Sequence, residues 1–148
     1  MFQSPLIVAA IYALIDLGAN ARGVCLDVRE SQPLTFKGSL SRPVFPGPPN
    51  YEDVKKGDKP ERAYIIKLDG PICATGNEFL DSSQTFDTVQ LLVDDSAKDS
   101  RALNASLTQL IGKRVEVTGK SGFGAQTGHH HAPLLVTVVK IAADGTGR

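Results

Sequence analysis

The 148-residue chain has no excess of either charge, because 16 lysines and arginines stand against 16 aspartates and glutamates. Proteins that hold nucleic acid through phosphate contacts usually carry a basic excess or a basic stripe. A small basic group, Lys113, Arg114 and Lys120, is explained equally well by charge pairs on a solvated face. The composition therefore does not favour a nucleic-acid-binding protein.

The sequence also lacks a recognisable catalytic motif. No serine stands in a Gly-x-Ser-x-Gly context, which is typical of α/β-hydrolase nucleophiles. A metal-dependent hydrolase would need a carboxylate base near its metal ligands, and Glu52 and Asp53 could serve only if their loop meets the histidines described below. An enzyme is therefore not the leading prediction.

The apolar run from Leu6 to Leu17 is shorter than the roughly 20 residues that a membrane-spanning helix needs. It is followed by Ala19-Asn20-Ala21, an A-x-A cleavage site, although no Lys or Arg precedes the run and Asp16 interrupts it. We predict a signal peptide over residues 1–21, one domain over residues 22–148, and a periplasmic or secreted location. The alternative is an amphipathic N-terminal helix of a cytosolic domain.

Only two cysteines are present, and they are not in a Cys-x-x-Cys spacing. A metal or redox site built from cysteines alone therefore has no support. In an exported protein, an even number of cysteines favours a disulfide. We predict a bridge between Cys25 and Cys73 that ties the N-terminus to the domain, and the alternative is two independent buried thiols.

Short apolar runs, several of them alternating with polar residues, predict five strands. One further segment has apolar residues separated by four, three and one positions, which is the spacing of one face of a helix, and it predicts a single helix. Their order is that of an OB-fold. We therefore predict an all-β domain with one helix, a five-stranded OB-like Greek-key barrel with the helix between strands 3 and 4. An open α+β sheet uses the same elements and is the alternative. The predicted strands are Leu34–Leu40, Ala63–Leu68, Thr88–Val93, Lys113–Gly119 and Leu134–Ala142, and the predicted helix is Ser100–Ile111.

The segment between the first two strands, Arg42 to Arg62, contains five prolines and is called the proline loop below. Proline fixes φ and removes a backbone donor, so this segment cannot be a central strand or a helix. Phe45 and Tyr51 lie among the prolines, and rings on a stiff loop form a platform for a peptide, a sugar or a flat ligand. Alternatively, both rings fold back to cap the barrel.

A second, glycine-rich loop is predicted from Lys120 to His131, and it contains all three histidines of the chain. In an extended backbone, His129 and His131 point to one side and His130 to the other. His129 and His131 are therefore candidate ligands for zinc or copper, although a stable site needs a third or fourth ligand. The alternatives are hydrogen bonds to loop carbonyls or an exposed polar turn.

In OB-folds, the loop between strands 1 and 2 and the loop between strands 4 and 5 flank the same binding face. On the predicted strand order these are the two loops just described. We therefore expect their rings to be neighbours and to form one composite site. The predicted ligand-binding residues are Phe45, Tyr51, His129, His130 and His131.

Several segments in combination resemble one family. They are Phe-Pro-Gly-Pro-Pro-Asn-Tyr-Glu52, Gly57-Asp58, Leu68-Asp69 with Pro71-Ile72-Cys73, Leu110 to Gly119, and Thr127 to Pro133. The resemblance is to the bacterial domain-of-unknown-function family numbered 4431, and it runs from about Cys25 to Ile141. It implies a small exported bacterial protein, and it supplies no activity, ligand or catalytic residue.

Three functional hypotheses follow. The leading one is an exported binding module of the cell envelope, whose ligand is a small molecule, a glycan, a metal or an envelope protein bound between the two loops. The second is an inhibitor or immunity protein for an exported enzyme. The third is a metal-dependent hydrolase. The sequence predicts no membrane span in the mature chain and no cofactor beyond the zinc or copper that the histidines would bind.

Overall fold

The structure is a computed structural model that describes residues 25–29 and 33–145. The predicted signal peptide, residues 1–21, lies outside the described residues. Within the described part, no helix is long and apolar enough to cross a membrane. The elements in chain order are β1 (Leu26–Asp27), β2 (Leu34–Ser41), β3 (Val44–Pro46), β4 (Pro60–Arg62), β5 (Tyr64–Ile72), β6 (Ala74–Thr75), β7 (Phe86–Leu92), α1 (Ser100–Leu110), β8 (Arg114–Gly124) and β9 (Leu134–Ala143).

Five of these strands close into a barrel in the order β2-β5-β7-β9-β8. Neighbouring barrel strands are antiparallel, except β7 and β9, which are parallel. In chain order, α1 follows β7 and precedes β8. This is an OB-like Greek-key arrangement, because the last strand in the chain lies between β7 and β8. The predicted barrel is therefore confirmed, and the open α+β sheet is wrong.

The barrel core follows from the alternation seen in the sequence. On β2, Leu34, Phe36 and Leu40 are buried, whereas the alternate residues Thr35, Lys37 and Ser39 are exposed. Gly38 belongs to the same inward series, and a Cβ there would lie 1.9 Å from the Lys67 carbonyl oxygen on β5. Glycine is therefore required for β2 and β5 to approach this closely. Helix α1 adds the fully buried Leu107 to the same core.

The predicted disulfide between Cys25 and Cys73 is present. Next to it, β1 and β6 form a two-stranded parallel ladder that pairs Leu26 with Ala74 and Asp27 with Thr75. The bridge closes a sequence separation of 48 residues, which stabilises the fold by about 4 kcal/mol on the chain-entropy model. It joins the first described residues to the segment that follows β5.

The glycine-rich loop predicted from Lys120 to His131 begins later in the structure than expected. Strand β8 continues to Gly124 and pairs with β9, with a register shift between Lys120 and Phe123. The prediction that the loop begins at Lys120 is therefore wrong, because the backbone from 120 to 124 finds hydrogen-bond partners on β9 despite its glycines. The connection that remains, residues 125–133, is called the histidine loop below.

The proline loop contains a small structure of its own. Strands β3 and β4 form an antiparallel ribbon that ends where Pro46 opposes Pro60, and a short 3-10 helix, Val54–Lys56, lies between them. Prolines are tolerated here because this ribbon lies outside the barrel and needs no continuous ladder. The sequence predicted no helix in the proline loop, and this prediction is wrong for the single 3-10 turn over Val54–Lys56.

The small basic group predicted on the surface is partly neutralised by charge pairs. The Arg114 guanidinium donates to both carboxylate oxygens of Asp69 at 2.7 Å. These hydrogen bonds hold the pKa of Asp69 below its ordinary value. The charge-pair explanation given from the sequence is therefore confirmed for Arg114.

Candidate ligand-binding site

The proline loop and the histidine loop meet at one end of the barrel. The Tyr51 hydroxyl lies 3.0 Å from His129 Nε2, and the two rings form a T-shaped contact. The Phe45 and His131 rings are stacked in parallel, with centroids 4.1 Å apart. The expectation that Phe45, Tyr51 and the histidines are neighbours is therefore confirmed.

Asp58 organises the proline loop from within. Its buried carboxylate accepts hydrogen bonds from the backbone N–H groups of Asn50, Glu52 and Asp53 at 2.8–2.9 Å. These bonds, above all those from Asp53 and Glu52, hold the pKa of Asp58 below its ordinary value. The carboxylate thus fixes the backbone on both sides of Tyr51.

Tyr51 has a left-handed backbone conformation, with φ of 59°. A residue other than glycine in this region costs on the order of 1–3 kcal/mol, and it persists only where its surroundings over-determine it. Here the N–H of Tyr51 donates to the Gly47 carbonyl at 2.9 Å, and Asp58 binds the residues on either side. In this conformation the Tyr51 ring contacts His129 of the histidine loop.

Gln90 on β7 holds the histidine loop against the barrel. Its side-chain amide donates to the His129 carbonyl at 3.2 Å, and its carbonyl accepts from the His131 N–H at 2.6 Å. Gln90 is 6% exposed. Sequence reasoning missed this residue, although a glutamine inside the apolar run of a buried strand was the signal that could have revealed it.

A hydrogen-bonded chain connects Glu61, His129 and Tyr51. His129 Nδ1 lies 2.9 Å from both carboxylate oxygens of Glu61. An ionised carboxylate only accepts, so the neutral His129 ring carries its proton on Nδ1, and Nε2 accepts from the Tyr51 hydroxyl. Glu61 was also missed in the sequence, because nothing in the spacing of the proline loop shows which carboxylate turns toward the histidines.

His130 and His131 have different surroundings. The Gln126 N–H donates to His130 Nδ1 at 2.8 Å, so the neutral ring carries its proton on Nε2. The His131 side chain is 8% exposed, and its Nε2 lies 3.8 Å from a Glu61 oxygen, too far for a hydrogen bond. The chain therefore presents three histidines in three distinct hydrogen-bonding states.

The predicted metal ligands, His129 and His131, already have partners within the protein or lie close to Glu61. His129 and His131 both face Glu61, as expected from alternation, and His130 instead contacts Phe123. Both ring nitrogens of His129 are already engaged. Among residues 25–29 and 33–145, no group of three His, Cys, Asp or Glu side chains is arranged to hold a metal ion.

The two carboxylates considered as bases do not occupy the centre of the site. The Asp53 side chain accepts from the Lys55 N–H at 2.8 Å and caps the 3-10 helix. The backbone N–H of Glu52 is held by Asp58. The carboxylate in contact with the histidines is that of Glu61.

Two depressions flank the histidine loop. The first, called the loop groove, has a volume of about 600 Å³ and is lined by rings, prolines and small residues. The second, called the strand groove, has a volume of about 370 Å³, and its lining combines apolar residues, among them Leu91 and Leu92, with the polar side chains of Glu61, Arg62, Asp95 and Asn104. His130 lines both. The loop groove is formed by Phe45, Pro46, Tyr51, Ala125, Gly128, His130, His131, Ala132 and Pro133.

A third depression of about 830 Å³ lies beside the disulfide and is lined by residues that include Thr35, Phe36 and Ile72. These residues are at the start of β2 and the end of β5, so this depression lies at the end of those strands remote from the proline loop. It shares no lining residue with the loop groove or the strand groove.

Comparison with known proteins gives a match to a protein family. Residues 88–142 match the model of a family described as Domain of unknown function (DUF4431). No curated protein matches the chain. The matched segment contains Gln90, α1, β8, β9 and the whole histidine loop, whereas the proline loop lies outside it. The family resemblance is thereby confirmed over residues 88–142, and the resemblance of the segments before residue 88 stays a prediction.

Proposed function

We propose that this protein is a binding module that holds its ligand at the junction of the proline loop and the histidine loop. The observation that carries the proposal is the contact between the two loops that flank the binding face of OB-folds. The contact brings rings from both loops to one groove. Each loop is in turn anchored by a buried polar side chain, Asp58 or Gln90.

The rings of the loop groove are already held in place, and this lowers the free-energy cost of binding a ligand there. Ordering a loop or a side chain on association costs about 0.5–1.5 kcal/mol for each immobilised side chain. Phe45 is already stacked on His131, and Tyr51 is already hydrogen-bonded to His129. A ligand that enters the loop groove would therefore meet rings whose positions are set in advance, so little affinity would be lost to ordering.

The chain from Glu61 through His129 to Tyr51 also has the carboxylate, imidazole and hydroxyl order of a nucleophilic triad. Acyl transfer would additionally need N–H donors aimed at a developing oxyanion. The backbone N–H groups of residues 50 to 53 all donate within the proline loop, three to Asp58 and that of Tyr51 to Gly47. Binding is therefore favoured over catalysis.

The proposed place of action is the periplasm or the extracellular space of a bacterium. The disulfide between Cys25 and Cys73 supports this, because such bonds persist in oxidising compartments and are rare in the cytosol. The predicted signal peptide would deliver the chain there. Mass spectrometry of the protein recovered from the periplasm should give an N-terminus at Arg22.

The test of the binding site is a fragment screen monitored by backbone amide NMR on the oxidised protein. We expect the shifted amides to cluster in residues 45–51 and 128–132, and the shifts to be lost in Gln90→Leu, which releases the histidine loop. Val139→Ala, an exposed position on β9, is the matched control and should leave the pattern unchanged. Shifts confined to the depression beside the disulfide would overturn the proposal.

A further inference from the structure

The charge of the loop groove restricts its ligand. The residues that line it include no Asp, Glu, Lys or Arg. A phosphate or carboxylate ligand would be expected to meet Arg or Lys, and a cationic peptide would be expected to meet a carboxylate. Building on the binding function proposed above, we infer that the loop groove binds an uncharged sugar chain.

The shape of the groove lining also fits an uncharged sugar chain. Phe45 and His131 form a parallel stack, and Pro46 and Pro133 add flat apolar surface beside it. The face of an aromatic ring is electron-rich and attracts the positive C–H edges of a neighbour. The His131 side chain is 8% exposed and supports Phe45 from one side, so the accessible apolar surface is that of the half-buried Phe45 and of the two prolines. A pyranose ring presents C–H groups on one face, so it can pack on this surface without losing the hydration of its hydroxyl groups.

The polar atoms at the groove also fit hydroxyl groups. His130 Nε2 carries a proton, because Nδ1 accepts from Gln126, and it is therefore a donor. The Tyr51 hydroxyl donates to His129 Nε2, which leaves its oxygen free to accept. A donor and an acceptor in fixed states suit a sugar hydroxyl, which donates and accepts at once.

The neighbouring strand groove indicates a chain rather than a single sugar. His130 lines both depressions, so a ligand that crosses it passes from the ring-lined surface to polar side chains. There, Glu61, Asp95 and Asn104 offer acceptors and an amide to further hydroxyl groups. The strand groove has two carboxylates, Glu61 and Asp95, and one guanidinium, Arg62, so its charge disfavours an anionic chain.

The alternative occupant with similar chemistry is a proline-rich peptide, which binds grooves lined by aromatic residues. Such a peptide would use the rings and would make little use of the acceptors in the strand groove. The sugar is favoured because both depressions and the donor and acceptor at their boundary contribute to its binding. The peptide is kept as a comparison in the experiment.

The experiment is a calorimetric titration of the oxidised protein with four probes. Two are uncharged tetrasaccharides, the β-1,4-linked N-acetylglucosamine tetramer and cellotetraose; the others are hexaproline and tetragalacturonate. We expect at least one tetrasaccharide to bind more tightly than either of the others. Tyr51→Phe and His130→Phe, which keep the rings, should each weaken that binding by about 10-fold, as expected for one lost hydrogen bond. Val139→Ala should bind as the parent does.

Three results would overturn the inference: no tetrasaccharide binds, hexaproline or tetragalacturonate binds more tightly, or the two ring-preserving variants retain full affinity. The fragment screen separates this failure from failure of the proposed function. Fragments that still map to residues 45–51 and 128–132 would leave the binding module intact and remove only the sugar. Amide spectra of each variant establish that it is folded.

Discussion

The two loops of the site are held in place in different ways. The proline loop is organised by Asp58, a carboxylate of the loop itself that accepts three backbone N–H groups. The histidine loop is held by Gln90, a neutral residue of barrel strand β7. The first loop is thus a self-contained unit, whereas the second takes its position from the barrel. Changes that affect one anchor should leave the other loop in place.

The largest effect is expected for Gln90→Leu. The His129 carbonyl and the His131 N–H would lose their partner, and each unpaired group costs about 1–3 kcal/mol when it is buried. We expect urea unfolding to show a loss of roughly 2–4 kcal/mol. Gln84→Leu, an exposed position, is the control and should change stability by less than about 0.5 kcal/mol. Amide signals of residues 50–53 that move as much as those of 128–132 would contradict the independence of the loops.

The next effect is expected for Gly128→Ala, which alters the junction rather than either anchor. A Cβ at this position would lie 2.6 Å from the Tyr51 ring, so the ring must move. We expect a loss of about 1–3 kcal/mol, as for other overpacked contacts, measured by thermal unfolding. Gly70→Ala, where a Cβ meets nothing within 4 Å, is the matched control. Unchanged stability and an unchanged Tyr51 ring environment would show that the loops are not in contact.

A smaller effect is expected for Tyr51→Phe, which keeps the ring and removes the hydroxyl that bonds to His129 Nε2 at 3.0 Å. The expected loss is about 1 kcal/mol in urea unfolding. Tyr64→Phe offers a comparison, since its hydroxyl also makes a single bond, to Thr108 at 3.0 Å on α1. If Tyr51→Phe leaves the ring nitrogen shifts of His129 unchanged, the assigned hydrogen bond is absent.

The smallest effect on global stability is expected from acid titration of Asp58. Its pKa is lower in the folded protein than in the unfolded chain, so it stabilises the fold above the unfolded pKa, and this contribution is lost as the pH falls through the folded value. Below about pH 4, the amides of Asn50, Glu52 and Asp53 should shift together. The His131 amide donates to the neutral Gln90 instead, so its signal should not follow the transition shared by these three amides. NMR between pH 5 and pH 2 tests the difference, and Asp58→Asn should abolish the shared transition.

The strands of the barrel could be predicted from the sequence, whereas the residues that anchor the two loops could not. Alternation in β2 and the β-branched run of β9 predicted strands within a few residues of their bounds, because burial on one face is a local pattern. The meeting of the loops followed from strand order. Gln90, Glu61 and Asp58 were not predicted, since their partners are set by loop conformations that the chain reaches only when folded. The continuation of β8 to Gly124 was hidden by glycines whose pairing depends on β9.

The two hydrogen bonds from Gln90 hold the backbone of the histidine loop, so side chains of that loop can be changed separately from its support. Gln90 binds only main-chain atoms of His129 and His131, and its own backbone is paired on both sides, with Ile65 on β5 and Leu135 on β9. The imidazoles are therefore not part of the anchor. Replacing His129 and His131 together would present other side chains from a backbone that Gln90 still holds, whereas His130 would be kept because its Nδ1 accepts from the Gln126 N–H. This barrel therefore offers a scaffold on which recognition could be varied at two positions without rebuilding its support.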